Sequence, residues 1–257
     1  MTQPEPSPRR QAGFITGFAV AAAFLTRIPV ATAVESRWSL AEAAWAFPLV
    51  GAGIGAVAAV VFLVAQLVGL GDWPAALLAV LAGLLLTGAL HEDGLADASD
   101  GLFGGSDREG RLAIMRDSRH GTFAVLALVL SVALRAAALA QIGEAMFAGL
   151  ALVAAHAGSR ALLPMATWAM PPARDDGLGA GAGRPRPIMV IAAALIALAI
   201  AAAALGPWHG VIAFACAVAA MAGAAAIANQ RIGGYTGDVL GAVEQIGEIV
   251  ILLAAAA

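Results

Sequence analysis

Seven predominantly apolar runs, each 18 to 24 residues long, limit the folds open to this chain. A helix needs about 20 apolar residues to cross a hydrocarbon layer roughly 30 Å thick, so each run is close to the length of a transmembrane helix. Only 12% of the residues are charged, against roughly 25% in a soluble domain. We therefore predict an all-α fold, a polytopic integral membrane helical bundle with about six to seven transmembrane helices. The runs cover residues 47–70, 73–90, 123–142, 145–166, 188–205, 211–228 and 239–257.

The N-terminal part of the chain contains one shorter apolar run, 14–26, which is followed by Arg27 and Pro29. So short a run is more typical of a re-entrant or interfacial helix than of a crossing. A cleavable signal peptide is less favoured, because Arg27 and Pro29 interrupt the region before a small-residue cleavage site. Residues 1–13 are a polar, proline-rich tail that we expect to be disordered. Residues 14–257 are then a single membrane-embedded catalytic domain.

The connections between the runs are of two kinds. Those at 71–72, 143–144 and 206–210 are short and contain no arginine, whereas those at 91–122 and 167–187 are longer and rich in arginine. Basic residues are enriched in the cytoplasmic loops of membrane proteins. The pattern predicts that 91–122 and 167–187 are cytoplasmic loops. We expect a multi-pass protein of the cell inner (plasma) membrane, with its active site facing the cytoplasm.

Composition excludes several mechanisms. All 14 basic residues are arginine, and a Walker A phosphate loop or a Schiff base would require a lysine. The net charge of −3 and the absence of basic tracts give no footprint for nucleic acid. The single cysteine, Cys216, cannot form an internal disulfide. Membrane lipid and small molecules remain as partners, and an oligomer is left open.

Charged residues are concentrated between residues 91 and 120. If this stretch continues the preceding helix, Asp93, Asp97 and Asp100 stand at positions i, i+4 and i+7 and share one face. Three neighbouring carboxylates repel one another, and a cation relieves that repulsion. Mg²⁺ is the hard cation that enzymes hold with one or two carboxylates together with substrate phosphates. The alternative is a solvated acidic loop.

A second group of polar residues follows the sixth run. The segment 231–238 reads Arg-Ile-Gly-Gly-Tyr-Thr-Gly-Asp, and Glu244 and Glu248 lie in the apolar run behind it. Glycine-rich backbone beside an arginine can bind phosphate oxygens, and carboxylates within a membrane helix are usually functional. The same segment is also compatible with a simple turn and helix start.

Two further apolar runs contain basic side chains. Arg135 interrupts one run, and His156 and Arg160 lie at i and i+4 in the next. Arg160 is a candidate anion ligand, whereas Arg135 is expected to pair with an acid. Acids for a metal, arginines for anions and the lack of a nucleophile with a base suggest metal-assisted phosphoryl transfer to an alcohol at the membrane surface.

The chain resembles the cobalamin synthase family, the integral-membrane adenosylcobinamide-GDP ribazoletransferases. The resemblance covers nearly the whole chain in order, and the two long motifs, 93–101 and 233–241, are specific when they occur together. His120 and Ala124 depart from the pattern, which affects only local packing. The matching residues are Leu25 to Pro29, Phe47 to Gly51, Asp93-Gly-Leu-Ala-Asp97-x-x-Asp100-Gly101, Ile114 to Gly121, Ser159-Arg160, and Gly233-Gly234-Tyr235-Thr236-Gly237-Asp238-x-Leu240-Gly241.

The resemblance implies that α-ribazole, or its 5′-phosphate, attacks adenosylcobinamide-GDP to give adenosylcobalamin, or its phosphate, and GMP, with Mg²⁺ as the metal. It implies roles for three sets of residues. The metal ligands would be Asp93, Asp97 and Asp100, with Asp238 either joining them or holding Thr236. One of these three aspartates, or Glu92, would be the catalytic base. The substrate-binding residues would be Arg116, Arg119, Arg160, Arg231, Gly233, Gly234 and Thr236.

Two other functions compete with this hypothesis. A CDP-alcohol-type membrane phosphotransferase also uses spaced aspartates, but its pattern has an Ala-Arg after the first Asp-Gly and wider gaps before the later acids. An ion-coupled membrane transporter would use Glu244 and Glu248. Seven of the 17 acidic residues lie in the predicted cytoplasmic connection 91–122, and only Glu244 and Glu248 lie within an apolar run, which favours the enzyme.

Overall fold

The structure, a computed structural model, describes residues 14–30, 39–177, 181 and 183–257. In these residues the secondary structure is helical, and the only extended pairing is a single parallel bridge between Pro172 and Tyr235. The predicted all-α fold is confirmed. The predicted disordered tail, 1–13, lies outside the described residues.

The helices are numbered in chain order. Helix α2 continues through a 3-10 turn, Ala44–Ala46, into α3 without a break. The bounds are α1 Phe14–Leu25, α2 Leu40–Ala43, α3 Phe47–Leu67, α4 Asp72–Thr87, α5 Leu90–Gly104, α6 Arg108–Ile114, α7 Thr122–Ile142, α8 Ala145–Ala169, α9 Pro187–Leu205, α10 Pro207–Ile232 and α11 Gly237–Ala256.

Six helical stretches in the described residues are long and apolar enough to cross a membrane. The remaining predicted run, 73–90, is helical as α4, but α4 has only 16 residues and meets α5 at 92°. Together α4 and α5 qualify as a seventh, bent span, so the prediction of six to seven spans is confirmed. Helix α1 has 12 residues, about 18 Å, and is too short to cross alone. The six stretches are Leu40–Leu67, Thr122–Ile142, Ala145–Ala169, Pro187–Leu205, Pro207–Ile232 and Gly237–Ala256.

The predicted connection 91–122 is not an irregular loop, because it contains α5 and α6. Nor does its acidic part continue the preceding helix. Gly88 and Ala89 both adopt the left-handed conformation, with φ of 67° and 56°, and this turns the chain sharply. Glycine suits position 88, because it adopts this conformation readily and because a Cβ would lie 2.1 Å from Nε of Arg27. The acidic residues nevertheless keep their helical spacing, now within α5.

Glycines allow the helices that carry the polar residues to approach closely. A Cβ on Gly51 would lie 2.2 Å from the carbonyl oxygen of His156, so α3 and α8 pack backbone to backbone. Helices α5 and α11 meet in the same way, because a Cβ on Gly241 would lie 2.9 Å from Cα of Gly94. This second contact brings the acidic motif of α5 against the start of α11 and therefore creates the site described next.

Candidate active site

A cavity of about 330 Å³ lies where the N-terminal ends of α5 and α11 meet the first three helices. One part of its lining is charged and comes from Asp93, Asp238 and Arg174. Another part is apolar and comes from α1 to α3 and α8, with Phe24, Leu40, Ala44, Phe47 and Leu163 as the main contributors. The two motifs that stand about 140 positions apart in the sequence thus contribute to one cavity.

The acidic motif lies on α5 beside this cavity. Asp93 is exposed and lines it, and Asp97 lies one helical turn further on. Nδ1 of His120 lies 3.9 Å from Oδ1 of Asp97, which is a long distance for an ion pair. Within residues 14–30, 39–177, 181 and 183–257, no three His, Cys, Asp or Glu side chains form a complete metal site. A cation at these carboxylates would therefore need oxygen atoms from a bound substrate, which is how Mg²⁺ is often held.

Asp100, the third member of the predicted metal set, lies in a different environment. It is buried, and both of its carboxylate oxygens accept backbone hydrogen bonds. The donors are the N–H groups of Gly121 and Ala124, the latter at 3.0 Å. These groups belong to the first turn of α7, where the backbone N–H groups have no partners within the helix. Asp100 therefore anchors α7 to α5.

Glu92 and Arg160 lie away from the cavity lining, in a buried polar cluster between α5, α7, α8 and α11. Oε1 of Glu92 accepts hydrogen bonds from Arg135 at 3.1 Å and from Gln245 at 3.0 Å. Arg160 pairs with Glu248 at 2.9 Å and also contacts Glu244. The expectation that Arg135 pairs with an acid is confirmed. Arg160 instead neutralises buried carboxylates of its own bundle in this structure.

The glycine-rich motif joins two connections. Gly233 ends α10 in the left-handed conformation, with φ of 80°. Gly234 passes so close to the chain after α8 that a Cβ would lie 2.1 Å from the carbonyl oxygen of Pro171. Tyr235 then exchanges backbone hydrogen bonds with Pro171 and Ala173, at 2.9 and 2.8 Å. The motif therefore fixes the segment after α8 beside the start of α11.

Thr236 and Asp238 begin α11. The hydroxyl oxygen of Thr236 accepts a hydrogen bond from the N–H of Val239 at 3.2 Å, as an N-cap residue does. The same hydroxyl donates to Oδ2 of Asp238 at 3.1 Å. The carboxylate of Asp238 is thus held in position where it lines the cavity.

Arg174 is a charged residue of the cavity that the sequence motifs did not single out. Its Nη2 donates a hydrogen bond to Oδ2 of Asp238 at 3.4 Å. Its Nη1 is buried and has no hydrogen-bond partner in the described part of the chain. The side chain is 17% exposed and lines the cavity, so it can donate to an anionic ligand there. The one feature of the sequence that could have pointed to Arg174 was its position in the arginine-rich connection 167–187.

The three arginines predicted to bind the diphosphate lie elsewhere. Arg231 donates to the carbonyl oxygen of Leu102, and its guanidinium lies 5.0 Å from the ring centroid of Phe103. Arg116 pairs with Asp176 at 2.7 Å on the surface. Arg119 pairs with Asp117 at 2.6 Å, also on the surface.

The Arg119 pair has an electrostatic consequence. Hydrogen bonds from Arg119 lower the pKa of Asp117 to about 2, so this carboxyl is ionised at neutral pH. Together the pairs show that Arg116 and Arg119 already have anionic partners.

Fold and site together define a polytopic helical membrane protein with a charged cavity at one end of its bundle. Residues 17–256 match the family described as cobalamin-5-phosphate synthase. The chain belongs to this family, and the resemblance noted in the sequence is confirmed.

The relatives at high similarity carry one name, adenosylcobinamide-GDP ribazoletransferase. The protein of Bradyrhizobium diazoefficiens is 46% identical over 244 residues, which are 95% of this chain and 94% of that protein. The protein of Mesorhizobium japonicum is 41% identical over 97% of this chain and 95% of its own length. The protein of Azorhizobium caulinodans is 42% identical, with coverages of 95% and 96%. No solved structure matches the chain.

Proposed function

We propose that this protein is an adenosylcobinamide-GDP ribazoletransferase. It joins α-ribazole, or its 5′-phosphate, to the cobinamide phosphate of adenosylcobinamide-GDP and releases GMP. The observation that carries the proposal is the meeting of the two family motifs at one cavity, with Asp93 and Asp238 on its lining and Arg174 beside them. Membership of the family and the name of its relatives support the choice of substrates.

The reaction replaces a phosphoanhydride bond with a phosphoester bond. A ribose hydroxyl oxygen that is free in either acceptor forms a bond to the phosphorus linked to cobinamide, and the bond from that phosphorus to the GMP oxygen breaks. The hydroxyl proton passes to a carboxylate, and Asp93 and Asp238 are the two aspartates that line the cavity. Glu92 is less suited to this role because it is buried in the ion-pair cluster with Arg135.

The donor set fits Mg²⁺. Asp93 and Asp97 are one helical turn apart and provide hard oxygen ligands, and in the described residues neither is paired with an arginine. Two carboxylates completed by substrate phosphate oxygens are an ordinary Mg²⁺ arrangement. When bound, the ion would stabilise the negative charge that develops on the transferring phosphoryl group. Asp238 lies across the α5–α11 contact and is a further oxygen donor on the cavity side.

Arg174 neutralises the other side of the diphosphate in this proposal. Its guanidinium is held by Asp238 through one terminal nitrogen, which leaves Nη1 for a phosphate oxygen.

The other predicted site residues have different roles in this proposal. Asp100 is structural, since it holds α7 against α5. The prediction that Arg116 and Arg119 bind the diphosphate stays a prediction, while Arg231 supports the end of α5.

We assign the site to the cytoplasmic side of the inner membrane. Support comes from the two arginine-rich connections, which contact each other and so lie at the same end of the bundle. Nη2 of Arg108 donates to the carbonyl oxygen of Ala173, and Arg116 contacts Asp176. The positive-inside rule places such an end in the cytoplasm.

One assay tests the function. Purified protein in detergent is given adenosylcobinamide-GDP, α-ribazole and Mg²⁺, and GMP and the cobalamin product are measured together. We expect equal amounts of both products, none without α-ribazole, and loss of both when EDTA removes the metal. A CDP-alcohol donor should give no product. GMP release without α-ribazole, or turnover of a CDP-alcohol at a similar rate, would refute the proposal.

A further inference from the structure

The lining of the cavity is divided between two chemistries, and only part of it is explained by the phosphate reaction. Asp93, Asp238 and Arg174 suit a phosphoryl group, but the residues from α1 to α3 offer no charge. The rings of Phe24 and Phe47 stack there with centroids 6.1 Å apart and planes at 25°. Ala44, which is only 2% exposed, lies on the same lining.

We propose that this cavity is the binding site of the nucleoside acceptor, with the benzimidazole base against Phe24, Ala44 and Phe47 and the ribose towards Asp93 and Arg174. The proposal rests on the proposed function, because it takes the acceptor from that reaction. It assigns the donor's corrinoid and guanosine parts to surfaces outside this cavity.

The size of the cavity favours the acceptor. Small-molecule sites commonly have volumes of about 300–1,000 Å³, and this cavity, at about 330 Å³, is near the lower limit. α-Ribazole is one bicyclic base with one ribose. Adenosylcobinamide-GDP carries a corrin macrocycle, an adenosyl group and a complete nucleoside diphosphate, and it is several times larger. A cavity of this size can hold the acceptor but not the whole donor, which reaches the charged lining with its diphosphate.

The chemistry of the lining favours a benzimidazole over guanine. Guanine has several hydrogen-bond donors and acceptors, and each one that is buried without a partner costs free energy. The dimethylbenzimidazole ring is flat and largely apolar, and aromatic side chains such as Phe24 and Phe47 bind such rings by stacking and edge contacts. With the base on this side, the ribose extends towards α5 and α11, where its attacking hydroxyl meets the carboxylates.

Filling the apolar part of the cavity tests the proposal. In Ala44→Leu the added methyl groups occupy space that the base needs, so the KM for α-ribazole should rise about tenfold or more. The KM for adenosylcobinamide-GDP should change less than about twofold. Ala56→Leu is the matched control, because Ala56 lies on the exposed face of α3. Phe24→Ala, on α1, is a second variant that removes one ring without enlarging any side chain, and it should also raise the KM for α-ribazole.

Binding measured without the donor separates this proposal from the proposed function. The fluorescence of the benzimidazole should report α-ribazole binding to the wild type and to Ala56→Leu, with weaker binding in Ala44→Leu and Phe24→Ala. If this pattern is found but no product forms, the proposed function fails and the site stands. If the wild type makes cobalamin but both cavity variants raise only the donor's KM, or bind α-ribazole normally, the site assignment is wrong.

Discussion

Nη1 of Arg135 lies 3.0 Å from Oε1 of Glu248 and joins the middle of α7 to α11 inside the bundle. Both side chains are only 2% exposed. Removing two charges from water is costly, and mutual pairing with further hydrogen bonds offsets that cost. The same nitrogen also reaches Glu92 on α5, so one guanidinium links three helices, including the helix that carries Asp93.

Glu248→Ala should therefore lower the stability of the protein strongly. It leaves Arg135 and Arg160 buried with one partner fewer, and breaking a buried pair in this way costs about 3–5 kcal/mol. Thermal unfolding in detergent, followed by circular dichroism, measures the effect. Glu109→Ala is the control, because Glu109 is 80% exposed and should leave the melting temperature unchanged. Equal melting temperatures for the two variants would show that the cluster does not hold the bundle together.

Sequence reasoning predicted the parts of the fold that follow from local pattern. Six spans and the short N-terminal helix are evident because apolar run length is a property of the segment itself. The break at Gly88 and Ala89 was not foreseen, since Ala89 is a residue that ordinarily continues a helix. Its left-handed conformation does not follow from local propensity, and this turn is contacted from a distant segment, since the N–H of Arg27 donates to the carbonyl oxygen of Leu86.

The site was predicted in outline, and its individual roles were harder to predict. Helical spacing puts Asp93, Asp97 and Asp100 on one helix, but only the fold shows that the N–H groups of α7 occupy Asp100. An arginine beside glycines suggested phosphate binding by Arg231, whereas its partner is a carbonyl at the end of α5. Arg174 carried no motif, and it reaches the cavity through contacts between segments distant in the sequence.

Asp93→Asn should abolish most of the activity and leave the fold intact. The change removes one negative charge from the cavity but keeps the shape of an exposed side chain. Loss of several kcal/mol of transition-state stabilisation corresponds to a rate decrease of about 100-fold or more. Steady-state release of GMP measures it, with Asp175→Asn as a control on an exposed aspartate outside the cavity. Near-normal rates for Asp93→Asn at limiting Mg²⁺ would remove Asp93 from the mechanism.

Asp100→Ala should act first on stability. Two backbone N–H groups at the start of α7 lose their acceptor, and loss of such a cap costs about 0.5–2 kcal/mol. The melting temperature of Asp100→Ala should be lower than that of the wild type. Asp100→Asn keeps one carbonyl oxygen as an acceptor, so its melting temperature should fall less. A variant that melts normally but is inactive would instead support the predicted metal role of Asp100.

Arg174→Ala and Arg231→Ala should separate binding from structure. Arg174 lines the cavity, so its loss should lower kcat/KM by about 100-fold, at an unchanged melting temperature. Arg231→Ala should lower the melting temperature, because it removes the hydrogen bond to Leu102 and the contact with Phe103, but the activity of the folded fraction should be retained. Arg174→Lys keeps the charge without the planar fork and should recover only part of the activity. If Arg231→Ala lost activity at a normal melting temperature and Arg174→Ala lost only stability, Arg231 would be the phosphate ligand instead.

Membrane orientation can be tested by labelling single cysteines. The native Cys216 is exposed on α10 and is first replaced by Cys216→Ser. Ser106→Cys and Asp175→Cys lie in the two arginine-rich connections, whereas Gly71→Cys lies in the short connection between α3 and α4, and all three positions are exposed. An impermeant maleimide added to intact cells should label only Gly71→Cys, and the other two should react after lysis, because arginine-rich connections stay in the cytoplasm. The contact between Arg108 and the carbonyl oxygen of Ala173 requires Ser106 and Asp175 to behave alike. Labelling of one but not the other in intact cells would contradict the fold as well as the orientation, whereas labelling of both with protection of Gly71→Cys would invert the orientation alone.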